Sequence, residues 1–267
     1  VNYNLLLLFQ CITVCSVDLF VLVSGYFSCT NDRRCVGKPL DLLFQSVAFV
    51  VLVYFAKVFS TEESVSWANL FEALIPCNYF VNLYIVLYIV SPYVNVVLRK
   101  VAETRKAMTI FMVVIISLFS VAPMLCNIIE SIVGHQITGF STIGRLGNQS
   151  GYNIVNFVLL YCVGSSLRLM KVDNHIKKLR VKNNIVNVLA KAAFVCFLIH
   201  SKILPYLRIE EFVQKPTWVM TLHLLVSLVA IYLVSWAVWR IYSFVSAPLF
   251  KPLNKVEIPP AIASVSS

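Results

Sequence analysis

Apolar runs of about 20 residues, separated by short charged loops, divide the chain along its length. A run of this length crosses a bilayer as a helix, because each helical residue rises about 1.5 Å and the hydrocarbon core is about 30 Å thick. With 59% hydrophobic and 13% charged residues, the 267-residue chain is too apolar for the core of a soluble domain. We therefore predict an all-α, polytopic membrane helix bundle with the lipid bilayer as its partner.

The runs predict about seven spans in a single transmembrane domain over 1–250, followed by a short cytoplasmic tail over 251–267. The sixth span is interrupted by Lys191, His200, Lys202 and Pro205. The predicted spans are residues 4–29, 42–59, 79–98, 107–129, 153–169, 185–204 and 218–245.

Charge alternates between successive loops. Lys and Arg are concentrated after the first, third and fifth predicted spans, and cytoplasmic loops are enriched in these residues. This pattern places residue 1 outside and the C-terminus in the cytoplasm. The basic residues fall in short loops and not on one face, so the net charge of +10 does not indicate a nucleic-acid partner. The eight cysteines are not paired with histidine in a metal-like spacing, so we expect no metal.

One acid lies inside the first apolar run. Asp18 is followed by Ser24-Gly25-Tyr26 and then by a basic loop. An intramembrane carboxylate is unfavourable by about 2.5–3.5 kcal/mol on insertion scales, so Asp18 must face protein, water or a partner.

Other predicted helices carry polar stripes at steps of three and four residues. Such stripes indicate helix packing or, alternatively, a polar cavity. With Asp18, Ser24, Gly25 and Tyr26, the residues we assign to this cavity or packing surface are Tyr84, Tyr88, Ser91, Asn95 and Arg168.

Four segments, in order along the chain, resemble motifs of acyltransferase family 3, the membrane O-acetyltransferases that include polysaccharide-modifying enzymes. The first is residues 17–27, which end in Ser24-Gly25-Tyr26 and precede basic residues. The second is the aromatic stretch 78–95, which contains Ser91-Pro92 and Asn95. The third and fourth are residues 151–164 and Phe197-Leu198-Ile199-His200.

The resemblance implies that acetyl-CoA or a related acyl-CoA donates an acyl group from the cytoplasm to a hydroxyl of a cell-surface polysaccharide or glycolipid precursor. It implies an integral protein of the bacterial plasma membrane. Arg33, Arg34 and Lys38 are the predicted donor-binding residues, and guanidinium favours the two arginines because it grips phosphate bidentately. Topology alone also accounts for these three cations. His200 is a weak candidate for the catalytic base, with helix packing as the alternative.

Two departures from the family pattern affect the expected activity. Family members begin with a helix that carries an arginine and the histidine regarded as catalytic base, and nothing before residue 1 supplies it. The family also has room for two more spans between Arg168 and Phe197. We expect a truncated or internally shortened member of a ten-span family, with little or no transferase activity by itself.

Besides an acyltransferase, two other possibilities fit the same sequence: a seven-span receptor or transporter, and a non-catalytic membrane partner. Seven spans with an outer N-terminus are the geometry of a receptor, and a transporter is a further alternative. Against these classes, the chain has no Asp-Arg-Tyr-like boundary motif and no paired half-helices of the kind that transporters use. A non-catalytic membrane partner in polysaccharide assembly is the third possibility.

Overall fold

A computed structural model describes residues 2–61, 65–75, 78–135, 153–172 and 184–258, with backbone alone for residues 12, 14, 60, 61, 184–191 and 258. Nearly all regular structure in these ranges is helical. The α-helices are α1 Asn2–Val14, α2 Ser16–Ser28, α3 Gly37–Thr61, α4 Trp67–Leu74, α5 Tyr79–Val101, α6 Arg105–Ile116, α7 Ala122–Val133, α8 Ile154–Leu169, α9 Asn184–Ile203, α10 Ile209–Phe212 and α11 Thr217–Phe250.

Short elements complete the described chain. A π-helical turn, Ser117–Val121, joins α6 to α7, and 3₁₀ turns cover Leu204–Leu207 and Leu253–Lys255. Two strands of two residues each are β1, Arg34–Cys35, and β2, Glu257–Ile258. The all-α prediction therefore holds, and α11 ends at Phe250, where the sequence predicts the tail to begin.

Among the described residues, five helical stretches are long and apolar enough to cross a membrane, which is compatible with an integral membrane protein. They are Asn2–Ser28, Gly37–Phe59, Trp67–Val101, Arg105–Val133 and Thr217–Phe250. The predicted count of seven is not confirmed, because the apolar helices described in the fifth and sixth predicted spans, Ile154–Leu169 and Ala192–Leu207, are shorter. A helix of 16 residues extends about 24 Å, less than the roughly 30 Å of the hydrocarbon core.

The chain divides into two compact units. The first unit comprises Val1–Val14, Cys35–Asn78 and Val181–Val256. The second unit comprises Cys15–Arg34, Tyr79–Arg180 and Glu257–Ser267, and its described helices are α2 and α5 to α8. All nine residues of the predicted cavity or packing surface belong to this second unit.

Close backbone contact between α2 and α8 organises the second unit. A Cβ added at Gly25 would lie 2.3 Å from the carbonyl oxygen of Tyr161, and one added at Gly164 would lie 2.0 Å from that of Leu22. Only glycine permits this approach, since small residues let membrane helices pack with their backbones in contact. The Ser165 hydroxyl strengthens the contact by donating a 3.1 Å hydrogen bond to the Gly25 carbonyl.

Helices α5 and α6 pack around this pair. Phe80 of α5 is buried and its ring lies edge-on to Phe157 of α8, at 5.7 Å between centroids. At the other end of α8, Met108, Leu98 and Cys162 form a buried apolar cluster. These contacts hold the polar face of α5 against α2 and α8.

The first unit has a separate core where α9 packs against α3 and α11. Phe49, Val195 and Ile199 are its buried members. The Tyr242 hydroxyl of α11 donates to the Asp41 carboxylate near the start of α3, so the two helices are joined by a polar contact as well.

Several sequence predictions fall outside the described residues. They concern Cys77, the Gly151-Tyr152 part of the third motif, and the basic residues after the fifth predicted span, Lys177, Lys178, Arg180 and Lys182.

Candidate functional site

A cluster of polar side chains ties α2, α5 and α8 together at one end of the second unit. We call it the polar junction. Four of its six side chains, those of Arg34, Ser91, Asn95 and Tyr161, are at most 5% exposed. The junction consists of Asp32, Arg34, Ser91, Asn95, Arg99 and Tyr161.

Pro92 leaves a backbone carbonyl of α5 free to accept hydrogen bonds from the junction. Because proline has no N–H, it leaves the carbonyl of Tyr88, four residues earlier in α5, without its helical donor. The Ser91 hydroxyl donates to this carbonyl at 2.9 Å and Arg34 Nε donates to it at 3.3 Å. Polar groups inside apolar helices must be satisfied by neighbours in this way. The Ser-Pro sequence of the second motif thus explains the position of Arg34.

Arg34 is held by acceptors from its own loop as well as from α5. Its Nη2 donates to the Ser91 hydroxyl at 2.7 Å, and its Nη1 donates to the carbonyls of Asn31 and Arg33. Its guanidinium also lies over the Tyr88 ring, 5.2 Å from the centroid. This side chain fixes the loop after α2 onto α5.

Asn95 connects three parts of the unit. It is fully buried, and its amide donates to the Ser28 carbonyl at 3.0 Å and to Asp32 Oδ1 at 3.2 Å. Its carbonyl oxygen accepts a 2.8 Å hydrogen bond from the Tyr161 hydroxyl. One side chain therefore joins the end of α2, the following loop and α8.

Asp32 and Arg99 form the more accessible part of the junction. Arg99 donates to both carboxylate oxygens, at 3.0 and 2.6 Å. Burial acts to raise the pKa of Asp32, but hydrogen bonds from Arg99 and Asn95 outweigh it, so the pKa lies below its usual range. The carboxylate stays ionised near neutral pH.

The remaining predicted packing residues of the second unit also contact one another. The Ser24 and Tyr84 hydroxyls are 3.2 Å apart. Arg168 donates to the Tyr26 hydroxyl at 3.2 Å and its guanidinium lies 5.1 Å from that ring's centroid. The sequence prediction that these side chains share helix contacts is consistent with this arrangement.

Asp18 differs from these residues. It is half-buried in α2, and among the described residues its inaccessible Oδ1 has no hydrogen-bond partner. It lies outside the polar junction.

The three predicted donor-binding cations have different surroundings. Arg34 is buried in the junction, whereas the Arg33 side chain is 84% exposed and its Nη1 lies 3.8 Å from Glu257 Oε1. Lys38 is exposed in the first turn of α3, in the first unit. Arg33 and Lys38 are therefore the accessible cations of the three.

His200 is half-buried near the end of α9, in the first unit. Its Nδ1 lies 3.1 Å from the carbonyl oxygen of Cys196 and 2.7 Å from that of Phe197. A carbonyl only accepts hydrogen bonds, so these contacts require a proton on Nδ1 and favour the tautomer whose lone pair is on Nε2.

Sequence reasoning missed the roles of Asp32 and Arg99. Both are charged residues next to helix ends, where we interpreted basic residues as topology signals. The one acid within the basic loop Asn31-Asp32-Arg33-Arg34 was an available indication of an ion pair.

The described part of the chain contains no cluster of three or more His, Cys, Asp or Glu residues that could hold a metal ion. Comparison of the chain with protein-family models, with curated proteins and with solved structures gives no match.

Proposed function

We propose that the chain is a membrane O-acyltransferase, which transfers an acetyl-type group from a cytoplasmic acyl-CoA to a hydroxyl of a cell-surface polysaccharide or its precursor. The observation that carries this proposal is the convergence of three motif segments in one compact unit. Ser24-Gly25-Tyr26, Ser91-Pro92 with Asn95, and Tyr161 with Gly164 lie far apart in sequence but contact one another. Segments that match the motifs only because membrane helices share a composition need not meet in the fold. Their contact therefore favours a family resemblance as the explanation of the motif matches.

The proposed reaction needs two kinds of group. An acceptor hydroxyl attacks the thioester carbonyl, the new C–O bond replaces the C–S bond, and the hydroxyl proton passes through a base to the departing CoA thiolate. Cationic donors hold the phosphates of CoA while this takes place.

In the second unit we assign the donor contact to Arg33, whereas Lys38, in the first unit, remains a donor-binding residue predicted from the sequence. The ion pair of Arg33 with Glu257 is long and exposed, and such pairs contribute at most about 1 kcal/mol, so a phosphate can replace the carboxylate. Arg34 is then a positioning residue, because it fixes the loop that presents Arg33.

His200 Nε2 is the candidate base within the chain, and we expect the transfer that it supports to be small without the histidine of the family's first helix. The hydrogen bonds of Nδ1 to the α9 backbone orient the ring and leave the basic nitrogen to accept a proton. Replacement by Gln is expected to abolish transfer while leaving acyl-CoA affinity unchanged, since the donor-binding cations remain.

The proposed topology has seven spans, a cytoplasmic C-terminus and basic loops at the cytoplasmic face of a bacterial plasma membrane. The alternation of basic and acidic loops supports it. The two shorter apolar helices cross if the bilayer thins locally around them, which costs fractions of a kcal/mol per ångström of mismatch.

Binding of acetyl-CoA tests the donor assignment without requiring turnover. Purified chain in lipid nanodiscs is dialysed against labelled acetyl-CoA. Arg33→Ala and Lys38→Ala are each expected to weaken binding about tenfold, the loss of one charge-assisted contact. Lys215→Ala is the matched control, an exposed cation in a loop assigned to the outer face. Equal affinity in all four proteins, or no binding, would contradict the proposal.

A non-catalytic membrane partner is the second candidate. It is favoured by the hydrogen bonds of Arg34 to Ser91 and of Tyr161 to Asn95, which give these motif residues a structural role. An absence of acetyl-CoA binding together with a stably folded chain would support this candidate over the first.

A further inference from the structure

An apolar crevice of about 290 Å³ lies between α6, the π-helical turn and α8, within the second unit. Its lining includes Phe111, Ile115 and Phe119 on one side, and Val155, Val158 and Cys162 on the other. The lining exposes no polar surface. Water needs two to four polar partners in a cavity, so this crevice suits hydrocarbon and excludes water, sugars and phosphate.

The crevice extends along α6 and the π-helical turn. Phe111 and Phe119 are eight residues apart, which corresponds to about 12 Å along a helix axis. An apolar cavity of about 150 Å³ binds benzene, so this volume accommodates on the order of twelve carbon atoms. The π-helical turn widens the helix just before Pro123, whose missing N–H prevents a regular α-helical bond to the Phe119 carbonyl.

The position of the crevice along the helix fits a lipid tail. It lies on Arg105–Val133, one of the stretches able to cross a membrane. Phe111 is about 9 Å and Phe119 about 21 Å from Arg105 along this stretch, so the crevice lies at hydrocarbon depth. Its long axis follows the helix and therefore the direction of lipid chains.

Cations surround the end of the crevice nearest Phe111 and Cys162. The Ser166 hydroxyl contacts the Met108 sulfur at 3.3 Å, so the start of α6 and the end of α8 lie side by side. Arg105 is six residues before Phe111, and Arg168 is six residues after Cys162, about 9 Å in each case. Lys106 is also exposed here, and the nearby acid Glu103 pairs with Lys100 at 3.3 Å.

We propose that this crevice binds one acyl chain of an anionic bilayer phospholipid, whose head-group phosphate lies against Arg105 and Lys106, while Arg168 contacts Tyr26 of α2. The wholly apolar lining favours a hydrocarbon tail, and the cations favour an anionic head group. This lipid site is independent of acyl transfer and holds whether or not the chain has that activity.

Photo-crosslinking in nanodiscs tests the site. The full chain is reconstituted with phosphatidylglycerol that carries a diazirine midway along one acyl chain, and labelled peptides are identified by mass spectrometry. We expect labelling at Phe119, Val155 and Val158 to exceed that at Val113 at least about fivefold, although Val113 is 59% exposed on the same helix. Val158→Phe fills the crevice and should remove the excess, whereas Val113→Phe should not.

Three outcomes would overturn the proposal. Labelling of Val113 equal to that of the crevice residues in the wild-type chain would mean ordinary bilayer contact, and this comparison needs no variant to fold. Equal labelling by a phosphatidylcholine probe would exclude a role for the cations. With that role, labelling by the phosphatidylglycerol probe is expected to be about fivefold stronger for each cation that contacts the phosphate. Complete displacement by an equimolar polyisoprenyl phosphate would assign the crevice to a lipid-linked intermediate.

Discussion

Replacing Gly164 by Ala is the sharpest test of how the second unit is held together. The added Cβ would lie 2.0 Å from the Leu22 carbonyl oxygen, 1.4 Å short of the 3.4 Å at which ordinary contact begins. The obstructing atoms are backbone, so no side chain can rotate away and α2 must retreat as a whole.

The expected magnitude combines three effects. Overpacking of a tight contact costs about 3 kcal/mol, at the upper end of its usual range. Separation of the helices also breaks the bond from Ser165 to the Gly25 carbonyl, a further loss of about 1 kcal/mol. Alanine regains about 1 kcal/mol through its higher helix propensity. Gly164→Ala should therefore lower the free energy of unfolding by about 3 kcal/mol.

Reversible unfolding in mixed micelles, with SDS as the denaturant, measures this difference. Ser165→Ala is the matched control on the same helix face, because it removes the hydrogen bond without adding volume, and it should cost about 1 kcal/mol. A Gly164→Ala protein within 0.5 kcal/mol of wild type, on the scale of a neutral surface change, would refute the close α2–α8 contact.

Three further predictions concern the polar junction. Arg34→Lys loses the separate guanidinium donors that reach Ser91 and the loop carbonyls, so it should lower the free energy of unfolding by about 2 kcal/mol. An unchanged free energy of unfolding in the same assay would contradict the positioning role. Asn95→Leu removes the Asn95 oxygen that accepts from the buried Tyr161 hydroxyl and should cost about 2–3 kcal/mol; Tyr161→Phe should recover part of this loss in the double variant, and strictly additive losses would argue against their hydrogen bond. The pKa of Asp32 is lower in the folded chain than the unfolded value of about 3.9, so its contribution is present above about pH 4 and is lost as the pH falls further. The free energy of unfolding should consequently fall more steeply below pH 4 for the wild type than for Asp32→Asn. Equal falls in the two proteins would exclude this ion pair as the cause.

The length of the apolar runs made most of the helices predictable. A bilayer imposes the same minimum length on each span, so the predicted second, third, fourth and seventh spans lie on helices of the right extent. Composition could not predict the interruption at Cys15, because an apolar sequence continues through that residue. The predicted fifth span, 153–169, by contrast matches α8 to within one residue, because polar residues flank the apolar run on both sides.

The candidate site was predictable where a single helix carries its pattern. Ser91 and Asn95 lie one turn apart on α5, so helical spacing alone places them on one face. The pairing of Asp32 with Arg99 was not predictable in this way, since it joins a loop to a helix end 67 residues later. Pro92 was an unused indication, because a proline within a helix requires a donor for the carbonyl four residues before it.

Loss of O-acetyl groups from the surface polysaccharide is the most direct measure of the proposed function. Cells that produce the protein and cells from which its gene is deleted are grown, their polysaccharide is purified, and O-acetyl signals are quantified by proton NMR. The acyltransferase account predicts that deletion removes O-acetyl signals, that the wild-type gene restores them, and that His200→Gln does not. An unchanged O-acetyl content after deletion would contradict it.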